Sequence, residues 1–223
     1  MFRFLSISNF DIITGLLLIG EKILEDKINI LQKFLFYSII SIKSIIFIIL
    51  GGMYMDKKVC ELLNNQINKE FYSSYLYFDM ANFYAEKGLD GFANWFEIQA
   101  KEEYDHGMLF YKYLHNNGEK VTLDAIAKPD KTYTDLIDPL CAALKHEKYV
   151  TSLVNGIYAA AVAVNDYRTV QFLDWFVKEQ GEEEKNANDN IQKMQLFGND
   201  SRALYMLNSE LAARVYNAPS LVL

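Results

Sequence analysis

The chain has 223 residues, 51% of them hydrophobic and 23% charged, enough apolar material for a sizeable core and too little charge for general disorder. A formal charge of −7 argues against nucleic acid as the main partner and suits a protein that handles cations. Two cysteines, Cys60 and Cys141, make neither a metal-ligand spacing nor a disulfide framework, as expected of reduced thiols in the cytoplasm.

Residues 1–54 differ from the rest. They contain no Ala and 14 Ile, whereas 17 Ala follow from Met55 onward. The apolar run Phe34–Leu50 reaches the lower bound for a membrane span but carries Lys43 at its centre, which is costly in a bilayer. No small-residue cleavage site follows it. Three expectations stand for 1–54: a mis-assigned start with the true one at Met53 or Met55, a hydrophobic anchor, or an interfacial or signal segment. Residues 55–223 are expected to form the functional domain.

From Asp56 onward the apolar positions recur at the helical period. Asp56 is a suitable N-cap, and Val59, Leu63, Ile67, Glu70, Ser74 and Tyr77 follow along one stripe until Gly88. Asp90 is expected to cap a second helix, with Phe92, Phe96, Gln99, Glu103, His106, Phe110 and Tyr113 on one face, ending at Asn116-Asn117-Gly118. The non-periodic stretch from Glu119 to Thr134 is longer than a bundle turn and can cross the whole bundle, which makes the second and third helices parallel. A third helix from about Asp135 carries Leu140, Leu144, Glu147, Thr151 and Val154. A fourth, after the Asn165-Asp166 turn, carries Thr169, Leu173, Phe176, Gln180, Glu183 and Ala187 to about Gly198. A short fifth helix runs from Ser201 to about Ala213. The expected fold is all-α: a four-helix bundle with a long crossover and a short C-terminal helix.

Glu70, Glu103, Glu147 and Glu183 each fall where the period demands an apolar residue, one per long helix. A buried carboxylate without a partner costs several kcal/mol or gives up its charge. These stripes supply no Lys or Arg, so a bound divalent cation is the economical counter-charge. His106 lies three residues after Glu103, so both project from one face and offer oxygen and nitrogen to one ion. Mixed carboxylate and imidazole ligands suit iron or manganese. Glu102, Glu179 and Glu182 lie one helical position off the inner stripes and are either a solvated face or a weaker neighbouring cation site.

At the segments NKEFYSSYLY (68–77), KEEYDHG (101–107), KHEKY (145–149) and FLDWFVKEQGEEEKN (172–186), the chain resembles bacterial non-haem ferritins, over Met55 to about Tyr216. The resemblance implies a ferroxidase centre with two iron sites. Glu70, Glu103 and His106 match the first, and Glu103, Glu147 and Glu183 the second, with Glu103 bridging. Gln180 matches an outer-sphere glutamine and Tyr77 a tyrosine near the iron pair. Glu102, Glu179 and Glu182 match a third iron site, shared in part with Glu183. The resemblance also implies iron storage, with Fe2+ oxidised by O2 or H2O2 and kept as ferric oxide in a hollow shell of 24 subunits, the fifth helix at its fourfold axis. Gln180-x-x-Glu183 stands where bacterioferritins carry a second E-x-x-H, and no motif supports a haem ligand. Two other functions fit the same bundle: a structural metal-binding protein without turnover, and a di-iron oxidase acting on an organic substrate.

Overall fold

The computed structural model describes residues 20, 22, 24–25, 27–42 and 55–223, and the chain divides into two units between Tyr54 and Met55. In the first unit, residues 27–42 are helical, with Phe34, Phe36 and Tyr37 exposed. Among the described residues no helix is long and apolar enough to cross a membrane. The run Phe34–Leu50 lies partly outside the described residues, as do Met53 and the other residues on which the three expectations for 1–54 turn.

The second unit contains five helices: α1 (Lys57–Glu86), α2 (Asp90–Asn116), α3 (Asp138–Ala163), α4 (Tyr167–Phe197) and α5 (Ser201–Ala212). Asp56 caps α1 as expected, accepting from Lys58 N at 2.8 Å and Val59 N at 3.2 Å. Asp90, in contrast, is the first residue of α2 and not its cap. The free N–H groups of Gly91 and Phe92 are taken by the Asn208 side chain of α5, at 2.9 and 3.2 Å. A helix start that needs a partner 117 residues away leaves no local signal. Gly91 is small for the same reason, because a Cβ there would lie 1.7 Å from the Asn208 carbonyl oxygen.

The crossover follows α1 for most of its length. Near the start of α1, Asn64 Nδ2 donates to Lys120 O and Asn64 Oδ1 accepts from Thr122 N. One turn on, Asn68 donates to Asp124 O and Ala125 O. At the far end Tyr133 packs on Phe83, and Tyr84 OH donates to Leu136 O at 2.5 Å. The connection thus carries the chain back along α1, so α3 runs parallel to α2. α3 begins at Asp138, later than the expected Asp135. Thr134 N, Thr134 Oγ1 and Asp135 N all donate to the Asp138 carboxylate, which ties those residues into a turn. The α3–α4 turn holds Asn165 at φ 59°, a left-handed conformation that asparagine tolerates, and Asp166 then caps α4 through Thr169 N at 3.1 Å.

The core is built in two apolar blocks. One gathers Met80, Tyr84, Phe92, Phe96, Leu140 and Met194 with Leu207 and Leu211 of α5. The other gathers Leu63, Ile67, Phe110, Val154, Phe172 and Phe176. On every long helix the inward glutamate falls between the residues given to one block and those given to the other. The bundle is therefore packed with apolar side chains on both sides of a polar belt.

Candidate metal centre

Glu70, Glu103, His106, Glu147 and Gln180 in that belt are each at most 2% exposed, and Glu183 is 7% exposed. The structure brings them together as the sequence anticipates. Glu70, Glu103 and His106 offer ligand atoms within 4.8 Å of one another, and so do Glu103, Glu147 and Glu183. Glu103 belongs to both groups, which gives two adjacent cation positions with a shared carboxylate.

Hydrogen bonds preset the carboxylates. Tyr77 OH donates to Glu147 Oε1, and Gln180 Nε2 donates to Glu147 Oε2 at 3.2 Å. Gln66 Nε2 holds Glu70 Oε1 at 2.8 Å. Gln99 Nε2 donates to Glu103 Oε1 at 3.0 Å and to Glu183 Oε1 at 2.9 Å, tying α2 to α4. Two carboxylate oxygens of the belt have no partner although fully buried: Glu70 Oε2 and Glu183 Oε2. Leaving a buried acceptor unpaired costs roughly 1–3 kcal/mol each. One of these oxygens belongs to each cation position, and a coordinated metal ion would satisfy both.

Electrostatics agree with that assignment. Burial pushes Glu70 up to about 8, helped by the charge on Glu103. Burial and the same charge lift Glu147 to about 7, and Glu183 rises well above the ordinary range. Glu103 differs: burial opposes its ionisation, but His106 and Gln99 more than offset this and hold it below the usual carboxylate value. For His106 burial acts downward and is outweighed by Glu103, whose carboxylate lies 3.4 Å from Nδ1, so its pKa rises to about 9. These directions favour an ion pair between Glu103 and His106 and the uptake of protons by Glu70, Glu147 and Glu183 when no cation is bound. Two divalent ions would replace those protons, and four carboxylates would balance their charge. Hard oxygen donors with one imidazole fit iron or manganese.

The outlying acids are less uniform. Glu179 joins His106 and Glu183 in a third group within 4.8 Å, beside a cavity of about 330 Å³. Glu102 and Glu182 line the same cavity but have other partners: Arg214 pairs with Glu102 at 2.5 Å, and Lys178 lies 3.4 Å from Glu182. Glu184 is half-buried and accepts from Thr151 Oγ1 at 2.6 Å.

Sequence reasoning gave no role to Gln66 or Gln99. Each lies four residues before an inward glutamate, a spacing that places side chains face to face and could have found them. It also missed His146, which is mostly buried and meets Ser73 Oγ at 2.7 Å, and Arg214, which follows the last helix and so has no period to mark it.

A paired carboxylate and histidine centre between four helices is the arrangement of the di-metal carboxylate bundles. The family model described as "Ferritin-like domain" matches residues 60–197. The bacterial non-heme ferritin of Staphylococcus epidermidis is 35% identical over 163 residues, covering 73% of this chain and 98% of that protein. That of Staphylococcus saprophyticus is 36% identical with the same coverage. Among solved structures, an open pore ferritin from the archaeon Archaeoglobus fulgidus is 37% identical with a TM-score of 0.71, covering 72% of this chain and 98% of that one. The chain belongs to the ferritin-like domain family, and its curated relatives are bacterial non-heme ferritins.

Proposed function

We propose that the protein stores iron by oxidising Fe2+ to Fe3+ at the paired positions and keeping the product as a hydrated ferric oxide. The observation that carries this reading is the double use of Glu103. It belongs to both ligand groups, each with a buried oxygen that lacks a partner.

Each Fe2+ gives up one electron, and O2 or H2O2 takes two, so the pairing of positions matches the count the oxidant needs. Glu70 and His106 would hold one ion, Glu147 and Glu183 the other, and Glu103 both. Tyr77 and Gln180 keep Glu147 in its coordinating orientation before any ion arrives, which limits the reorganisation required on binding. The protons displaced from Glu70, Glu147 and Glu183 leave as the ions enter. The accumulation of negative oxygen ligands favours the ferric product.

Storage requires an enclosure, and we infer self-association of this chain into a hollow shell of 24 copies in the cytoplasm. Names and sequences of the relatives support iron as the substrate and ferritin-type assembly as the setting. The test is aerobic addition of Fe2+ in excess over the binding sites. An amber species that co-elutes with protein at very high mass is the expected result. Iron that oxidises no faster than in buffer, or precipitates apart from the protein, refutes the reading.

A further inference from the structure

Beyond α5 the chain turns back across the bundle. Arg214 Nη1 donates to Trp95 O at 3.0 Å, Tyr216 OH donates to Asp105, and Trp175 Nε1 donates to Ser220 Oγ at 3.0 Å. Leu221 then packs against the Phe172 block. Residues 214–221 thus form a strap over the groove between α2 and α4. The 330 Å³ cavity lies beneath it, with His106, Glu179 and Glu183 from the helices and Arg214, Asn217 and Ser220 from the strap.

Arg214 brings a guanidinium into this cavity. Its Nη2 meets Glu102 Oε2 at 2.5 Å, both terminal nitrogens lie 3.1 Å from Gln99 Oε1, and the guanidinium stacks over Trp95 at 4.6 Å. The side chain is only 23% exposed. Gln99 passes the contact on, because its Nε2 reaches Glu103 and Glu183. In the same cavity Glu183 keeps its unpartnered buried oxygen, and with His106 and Glu179 it can hold an ion.

We propose that Arg214 is a tethered counter-cation that guards the position formed by His106, Glu179 and Glu183, so that a divalent cation binds there only against its charge. This rests on the reading of the centre as a metal site and adds a control to it. The physical grounds are direct. Glu102, which lines the same cavity, is already paired with Arg214. A dication entering a cavity that holds a fixed guanidinium meets like charge in a poorly screened setting. The strap keeps the guanidinium there at little further entropic cost, since Tyr216 and Ser220 anchor its other end.

The test is anaerobic titration of the metal-free, full-length protein with Co2+, whose visible bands report coordination and which is not consumed by turnover. The unaltered protein is expected to bind two Co2+ per chain tightly and a third weakly. Arg214→Gln should tighten the third at least tenfold; the second ion, whose Glu103 and Glu183 are held by the Gln99 that Arg214 orients, should weaken by less than in Gln99→Leu, and the ion at Glu70 and His106 should change least. Arg214→Lys, which keeps the charge, should stay near the unaltered value. Tyr216→Phe loosens the strap without touching a ligand and should fall between; it also serves if Arg214→Gln fails to fold. Adding Glu179→Gln to Arg214→Gln should abolish the gain. A third affinity that is unmoved or weaker in Arg214→Gln and Tyr216→Phe, with two ions still bound per chain, overturns the proposal alone. Loss of the first two ions in the unaltered protein overturns the metal reading and this proposal together.

Discussion

Gln99 Nε2 lies 3.0 Å from Glu103 Oε1 and 2.9 Å from Glu183 Oε1, so one amide spans two carboxylates on different helices. It can do so because its own oxygen is fixed by Arg214 at 3.1 Å, which orients the amide and leaves no choice of flip. Replacing Gln99 with Leu removes the span at similar bulk. Loss of such a supporting partner typically costs 10–100-fold in metal affinity. A Co2+ titration should show at least a tenfold loss at the position formed by Glu103, Glu147 and Glu183, with a smaller effect at Glu70 and His106. Equal loss at both would mean that Gln99 acts through the fold as a whole.

Glu103 is the one residue common to both cation positions. Glu103→Ala is expected to abolish rapid Fe2+ oxidation in stopped-flow absorbance, and His106→Ala to do nearly the same. Assembly should survive in both, because the two apolar blocks that hold the helices do not include either residue. Unchanged oxidation kinetics would remove these residues from the centre.

The metal-free protein should respond to pH in the unusual direction for a carboxylate-rich chain. Glu70 and Glu147 titrate near 8 and 7 when folded, against 4.5 in an open chain, and Glu183 is also raised. The folded state therefore binds protons that the unfolded chain has released, and stability falls as pH rises from about 4.5 to about 8. His106, raised to about 9, acts in the same sense at higher pH. Glu103 is lowered, and its contribution is lost only below the ordinary carboxylate range. Thermal melts of metal-free protein should give a lower Tm at pH 8 than at pH 5.5, while the Tm increase produced by saturating Co2+ should grow over that interval. A metal-free Tm that climbs with pH contradicts the protonated belt.

Glu179 separates the third group from the other two, since it belongs only to the set with His106 and Glu183. Glu179→Ala should change turnover or the amount of iron bound per chain while the first two ions still bind. Iron binding by equilibrium dialysis and oxidation by oxygen electrode would show this. Parallel loss of initial binding would mean that the groups are drawn wrongly.

The seat of α5 offers a structural check. Asn208→Ala removes the acceptor for Gly91 and Phe92 N–H and should cost about 1 kcal/mol, in line with other lost N-caps. Gly91→Ala should cost more, because its methyl group would meet backbone and not a movable side chain. Chemical unfolding read by circular dichroism would rank the two. A Gly91→Ala protein as stable as the parent would show that α5 is not held on α2.

Much of this protein was legible in the chain because helices report themselves locally. Asp56 and Asp166 cap the helices that follow them, and the stretch after Gly118 is longer than a bundle turn and long enough to cross the bundle. The four inward glutamates and His106 could be found because each breaks an apolar stripe at a fixed phase, and a carboxylate in a core position needs a reason. That reasoning depends only on period and burial, both of which sequence encodes.

Tertiary structure decided what period cannot express. Asp90 looks like a cap from its neighbours, yet the cap is Asn208, brought from far along the chain by the docking of α5. Glu102, Glu179 and Glu182 look alike by position, but only Glu179 shares a ligand group with His106 and Glu183. The other two have Arg214 and Lys178 as partners. Arg214 itself follows the last helix, where no stripe assigns a direction, and its place beside the centre is fixed by the strap's long-range hydrogen bonds. Sequence by itself determined the bundle and the five inward polar residues, because those follow from spacing along a helix. Which acids stay free for a cation, and which are already paired, depended on the path of a segment without periodicity and could be settled only in three dimensions.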